Sequence, residues 1–112
     1  MSVISESALQ SKCVKWLWNS HPETRGLFFE INNNPLNAVD GANRRAMGMV
    51  KGVADTCFLW EGKAHFIEFK DEKGRQSKDQ IHWETVVSFA GFHYFIVRCE
   101  GDFRTIIEMI MI

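Results

Sequence analysis

Two apolar segments, Ala54–Trp60 and Lys63–Lys70, stand on either side of Glu61-Gly62, and that arrangement leaves the middle of the chain little freedom. Each segment has the length and composition of a β-strand. Glu61-Gly62 has the length of a two-residue hairpin loop, although Asn-Gly and Asp-Gly are stronger turn pairs. With that turn, Trp60 pairs with Lys63, and Asp55 falls directly opposite Glu68. Residues so opposed have Cβ atoms about 4.5–5.5 Å apart. Lys70, two residues beyond Glu68, points to the same face. Two carboxylates and an ammonium group therefore converge, a set suited to a divalent metal and a phosphodiester.

Like charges placed opposite each other destabilise a sheet unless something compensates. A hard divalent cation, Mg²⁺ or Mn²⁺, would do so, because such ions favour carboxylate oxygens and retain waters. Lys70 alone, as the cation of a structural cluster, is the alternative. Taken by itself, Asp-x12-Glu-x-Lys is a loose and common spacing. Its strand context adds weight. Phe66, Ile67 and Phe69 make the Glu68 strand apolar on both faces, as in a central strand covered on both sides. Charged groups at the end of such a strand are costly unless paired or coordinating.

The 112 residues suffice for one domain spanning 1–112, and an apolar content of 46% suits a packed core rather than a disordered chain. No apolar run reaches the length of a membrane span, and the N-terminus lacks the regions of a signal peptide. Cys13, Cys57 and Cys99 lie in apolar surroundings without a C-x-x-C pair, so they are expected to be buried reduced thiols. His21, His65, His82 and His93 show no metal-ligand spacing and are read as structural or surface residues. These features imply a cytoplasmic protein with no membrane partner. Net charge is −1, but residues 44–78 carry +3 and include the proposed site. Arg44, Arg45, Lys51, Lys73, Arg75, Ser77 and Lys78 are the candidates for nucleic-acid contacts there. For any one of the basic residues, a solvated surface position is an equal alternative.

Along the chain, Ser5 is the expected N-cap of a helix reaching about Asn19, with Leu9, Cys13, Trp16 and Leu17 on its apolar stripe. Leu27–Asn32 reads as a first strand. Residues 33–51 read as a long loop, a candidate substrate-facing flap, with a helical stretch near Ala42–Met47. Ser77-Lys78-Asp79-Gln80 forms a capping box that opens a helix with Gln80, Trp83, Val87 and Ala90 on one face, stopped by Gly91. Phe92–Cys99 reads as a strand. Asp102 is the expected cap of a short terminal helix that buries Ile106, Ile107 and Ile110. The order α-β-β-β-α-β plus that helix predicts an α/β protein with a mixed sheet flanked by helices.

With these residues placed, the chain resembles the PD-(D/E)xK nuclease superfamily, and more narrowly the virus-type replication-repair nuclease (VRR-NUC) domain in its standalone phage or bacterial form. The resemblance rests on Ala42-Asn43-Arg44-Arg45, Gly48, Gly52-Val53-Ala54-Asp55, Phe66-Ile67-Glu68-Phe69-Lys70, Gly74, Ser77, Gln80, Trp83 and Gly91. It covers nearly the whole chain. The family usually has proline before its aspartate, where this chain has Ala54, a backbone-shaping position with no chemistry of its own.

The resemblance implies a restriction-endonuclease-like core and hydrolytic, metal-dependent DNA cleavage in a bacterial or phage-infected cytoplasm. It implies one or two Mg²⁺ or Mn²⁺ ions held by Asp55, Glu68, the Phe69 carbonyl and Glu6. Lys70 would orient water and stabilise the transition state, and Gln80 would border the site. Glu30 competes with Glu6 as the extra acid. Standalone relatives look like dimeric Holliday-junction resolvases, which implies branched DNA and a homodimer. The apolar run Ile106–Ile112 is a candidate interface; closure of the core is the alternative. Flap cleavage, and a non-catalytic DNA-binding module, are the rival functions.

Overall fold

In the computed structural model, which describes residues 4–32 and 34–112, the turn at Glu61-Gly62 sets the architecture. Both residues have positive φ, 49° and 76°, the backbone of a type I′ hairpin. The two strands it joins, β2 (Thr56–Trp60) and β3 (Lys63–Phe69), pair with Trp60 opposite Lys63 and Thr56 opposite Ile67. This is the register expected from the sequence. A short strand β1 (Phe28–Glu30) pairs antiparallel with β2, and β4 (His93–Val97) pairs parallel with β3. The result is a four-stranded mixed sheet in the order β1-β2-β3-β4. A parallel neighbour needs a crossover, and the helix α3 (Lys78–Phe89) supplies it.

Strand alternation sends the residues of β3 to two different layers. Ile67 and Phe69 join Phe28, Phe58 and Val97 in a buried core against α1 (Glu6–Ser20) and α4 (Glu100–Met111). Leu9, Cys13 and Leu17 supply the α1 side of that core, Phe103 and Ile107 the α4 side. On the opposite face Phe66 meets Trp83 of α3 edge-to-face, with centroids 4.9 Å apart. Helices thus cover both sides of the β3 strand. Glu68 and Lys70 fall on the α3 side.

Helix ends follow local chemistry. Ser5 accepts from the Ala8 amide at 3.1 Å and caps α1. Ser77 and Gln80 form the reciprocal capping box at α3, as expected. Within residues 33–51, α2 runs from Ala38 to Ala46, four residues earlier than predicted, because Asn37 accepts from the Asp40 amide and caps it.

Three expectations are corrected. Asp102 is not the cap of α4; the helix begins earlier, with Cys99 at its N-cap, and Asp102 sits in its first turn. Cys99 is exposed, while Cys13 and Cys57 are buried. Ala90 is exposed at the C-cap of α3 rather than on its buried face. Within the C-terminal apolar run, Ile107 is in the core and Ile106, Ile110 and Met111 pack against it, leaving Met109 and Ile112 outside. Ile106, Ile107 and Ile110 thus face inward as expected, and with Met111 they help to close the core. Among the described residues no helix is long and apolar enough to cross a membrane.

Candidate functional site

Asp55 and Glu68 meet where the hairpin ladder ends. The Asp55 amide donates to Glu68 Oε1 at 3.2 Å, and the Phe69 amide donates back to Asp55 Oδ2 at 2.8 Å. The opposition deduced from the turn is therefore locked by two main-chain donors. Glu68 is only 2% exposed. Lys70 Nζ lies 3.5 Å from Glu68 Oε2 and 3.9 Å from Glu6 Oε1, which α1 brings over from the other end of the chain. Gln80, at the start of α3, donates from Nε2 to Glu68 Oε2 at 2.9 Å. Its Oε1 accepts from the Ser77 amide at 2.8 Å. One glutamine thus closes the capping box and braces the buried carboxylate.

Two glycines keep this cluster tight. Gly52 has φ +83°, and a Cβ there would fall 2.2 Å from the Asp79 carbonyl oxygen. The loop before Asp55 can therefore approach the first turn of α3 only without a side chain. A Cβ on Gly74 would lie 3.0 Å from Glu6 Oε1, so a side chain there would crowd that carboxylate.

Electrostatics follow from burial. Desolvation, reinforced by Asp55, pushes the Glu68 pKa up to about 7, against partial relief from Lys70. Asp55 is also raised, first by desolvation, with the Phe69 amide and Lys70 opposing. Two carboxylates share one buried ammonium group, and Glu6 adds a third negative charge. The Glu68 oxygens are hydrogen-bonded, yet the cluster is not neutralised. A hard divalent cation fits such a donor set, with Asp55 and Glu68 as the residues to hold it and Glu6 nearby. Among the described residues no three His, Cys, Asp or Glu side chains form a ready-made cage. A cation held here would therefore keep waters or substrate oxygens, as Mg²⁺ usually does.

The cluster opens on a cleft of about 300 Å³ whose lining includes Glu30, Arg45, Lys51, Asp55, Ser77 and Gln80. Both candidate acids are placed near the site, in different ways. Glu6 reaches Lys70. Glu30 lines the cleft and, like Glu6, raises the Asp55 pKa. The Phe69 side chain is buried in the opposite layer, and its main-chain amide is what holds Asp55. The basic candidates divide. Arg45 and Lys51 line the cleft with Ser77. Arg44 is engaged by Asp40 at 2.9 Å. Lys73, Arg75 and Lys78 are exposed and are not among the residues lining the cleft.

Several participants carried no sequence signal. Arg98, just past β4, donates from Nη1 to the carbonyls of Asp71 and Gly74 at 2.9 and 2.7 Å, pinning the loop beyond Lys70. Gln76 Nε2 donates to Glu84 and to the Tyr94 hydroxyl, at 2.9 and 3.3 Å. Burial raises the Tyr94 pKa, with Glu68 adding to it, so the phenol stays protonated. His65 and His93, scattered in sequence, lie side by side across β3 and β4 with their Nδ1 atoms 3.2 Å apart. Burial pushes the Cys13 thiol up to about 12, which removes it as a nucleophile.

Fold and site together define an α/β protein with a buried carboxylate–lysine cluster at the end of a central strand. No family model matches the chain, and no curated protein matches it.

Proposed function

We propose that this protein is a divalent-metal-dependent DNA endonuclease with a PD-(D/E)xK-type site on a restriction-endonuclease-like core. The supporting observation is the pairing of half-buried Asp55 with buried Glu68, with a single buried ammonium group between Glu68 and the solvent-side acid Glu6. A structural salt bridge would call for one carboxylate per lysine. Three carboxyl groups around one ammonium group suit a bound Mg²⁺ or Mn²⁺ ion. When bound, such an ion would acidify water and neutralise charge developing on the phosphodiester.

The chain's own groups divide the remaining work. Asp55 and Glu68 would hold the cation, and they are oriented by the Phe69 and Asp55 amides and by Gln80. Lys70, with a side chain 9% exposed, places a fixed positive charge where the scissile phosphate would lie. Arg45 and Lys51 on the cleft wall are suited to backbone phosphates on either side. So small a cleft has little room to read bases, which favours recognition of DNA shape and a branched substrate. The setting would be the cytoplasm of a bacterium or phage-infected host.

The test is cleavage of a labelled four-way junction beside linear duplex and flap controls, in Mg²⁺, Mn²⁺ or EDTA, with Lys70→Met in parallel. Metal-dependent paired nicks on the junction, lost in the variant, are the expected result. Cleavage confined to flaps would retain the site and replace the substrate. No cleavage of any substrate with either metal would refute the nuclease reading and favour a DNA-binding module.

A further inference from the structure

His65 and His93 are the first residue pair of the β3–β4 ladder, and the parallel register sets them side by side. Alternation puts both on the face that carries Ile67 and Phe69, whereas Glu68 and Lys70 face α3. Three residues of strand, about 10 Å, also separate His65 from Glu68. The two imidazoles therefore stand apart from the carboxylate cluster, and the function proposed for that cluster makes no use of them.

Their spacing suits a shared ion. The Nδ1 atoms are 3.2 Å apart, with ring centroids at 5.1 Å and ring planes tilted by 37°. With metal–nitrogen bonds of about 2.0–2.1 Å, nitrogens at that separation subtend about 100–106° at one ion, close to the tetrahedral arrangement zinc takes. Backbone pairing sets the two residues side by side without any metal, so little ordering is left for binding to impose.

The surroundings agree. His65 is 5% exposed and His93 is exposed, so the pair has an anchored ring and an open approach. Phe58 and Phe95 flank the two rings, at centroid distances of 6.4 and 5.9 Å, and give the pair an apolar shell. Burial, then His93 and Lys63, hold the His65 pKa below its ordinary 6.5, so this ring is neutral at pH 7, as a metal ligand must be. Among the described residues no acid, thiol or further imidazole completes a set of three. Waters or an outside ligand would take the remaining positions.

We infer that His65 and His93 form a cation site of their own, taking an imidazole-seeking divalent ion of the zinc class. Imidazole suits Zn²⁺, Cu²⁺ and Ni²⁺, whereas Mg²⁺ keeps to oxygen. The site is thus chemically distinct from the carboxylates of Asp55 and Glu68, and it does not depend on the ion proposed there. β4 is an edge strand, and His93 is its first residue. An ion held by both rings clips that end of β4 to β3 and stabilises the folded chain by mass action.

Zinc titration by calorimetry tests the site in Glu68→Gln, which disables the carboxylate pair. This variant should take up one equivalent of Zn²⁺. Adding His93→Gln should weaken binding at least 10-fold, about the cost of a damaged metal site, with far-ultraviolet circular dichroism unchanged. Adding His82→Ala instead, at an exposed histidine on α3, should leave binding as it was. In the native chain, Zn²⁺ should shift the ¹⁵N signals of Nδ1 in both His65 and His93 and leave both rings protonated at Nε2. No uptake by Glu68→Gln at about 100 µM Zn²⁺, roughly 100-fold above a micromolar Kd, would overturn the assignment. So would uptake that His93→Gln leaves unchanged. Nδ1 signals that ignore zinc would likewise overturn it, and leave the pair as a hydrogen bond between neutral rings.

Discussion

Raising the pH of the metal-free protein from 5 to 8 should weaken its fold through Glu68. Burial beside Asp55 lifts this carboxyl from an ordinary 4.5 to about 7, while in the unfolded chain it titrates near its ordinary value. A raised folded pKa means that the native state holds the proton more tightly. The contribution is therefore complete below about pH 4.5 and is lost as pH rises through about 7. Integrated from pH 5 to 8, the loss is about 2–3 kcal/mol. Asp55, raised by the same desolvation, acts in the same direction. His65 acts against them: burial lowers its pKa, so its contribution is present above about 6.5 and lost as pH falls. The informative quantity is thus a difference between two proteins. Urea unfolding of the native chain and Glu68→Gln, in EDTA across pH 5 to 8, leaves His65 common to both. The native curve should fall relative to the variant by the amount above. Millimolar Mg²⁺ at pH 8 should restore stability to the native chain and not to the variant. Parallel pH profiles would mean that Glu68 is ionised throughout, and the argument from burial would fail.

Lys70→Met should remove one fixed positive charge at the scissile phosphate and reduce cleavage by about 100-fold or more, with circular dichroism unchanged. Gly52→Ala should lower stability by about 2–4 kcal/mol, combining a left-handed backbone with a methyl group driven into the Asp79 carbonyl; a thermal melt reads it. Ser77→Ala should lose about 1 kcal/mol of capping energy, measured by urea unfolding. Arg98→Leu should release the carbonyls of Asp71 and Gly74, so limited proteolysis is expected to cut residues 71–76 faster than in the native chain.

The Asp55–Glu68–Lys70 cluster was legible because every link in it is local. A two-residue turn fixes the hairpin register, and alternation does the rest within sixteen residues. The capping box at Ser77 and Gln80 was legible for the same reason, as was the cap at Ser5. Glu6 was placed by resemblance and not by spacing, since nothing in a helix at one end of the chain announces which strand it will cover. Arg98 and Tyr94 had no signal at all; they meet the site only because β4 pairs parallel to β3. The long loop misled about α2, where one asparagine cap outweighed a polar composition. Asp102 misled in the opposite sense, because a residue suited to capping falls inside the first turn of a helix whose start is set by Phe103 and Ile107 entering the core.

Short-range physics let the sequence determine the hairpin, its register, the opposition of Asp55 and Glu68, and the start of α3. Tertiary structure decided what surrounds them: that Glu6 reaches Lys70, that Gln80 braces Glu68 while it caps its own helix, and that Lys73, Arg75 and Lys78 lie outside the cleft lining. It also decided that the C-terminal apolar run closes the core while Phe89 stays outside. Turn chemistry and capping act over a few residues, with energies written into those residues. Burial is a property of the assembled layers, and the pKa of Glu68 and the exposure of Phe89 are both set by it.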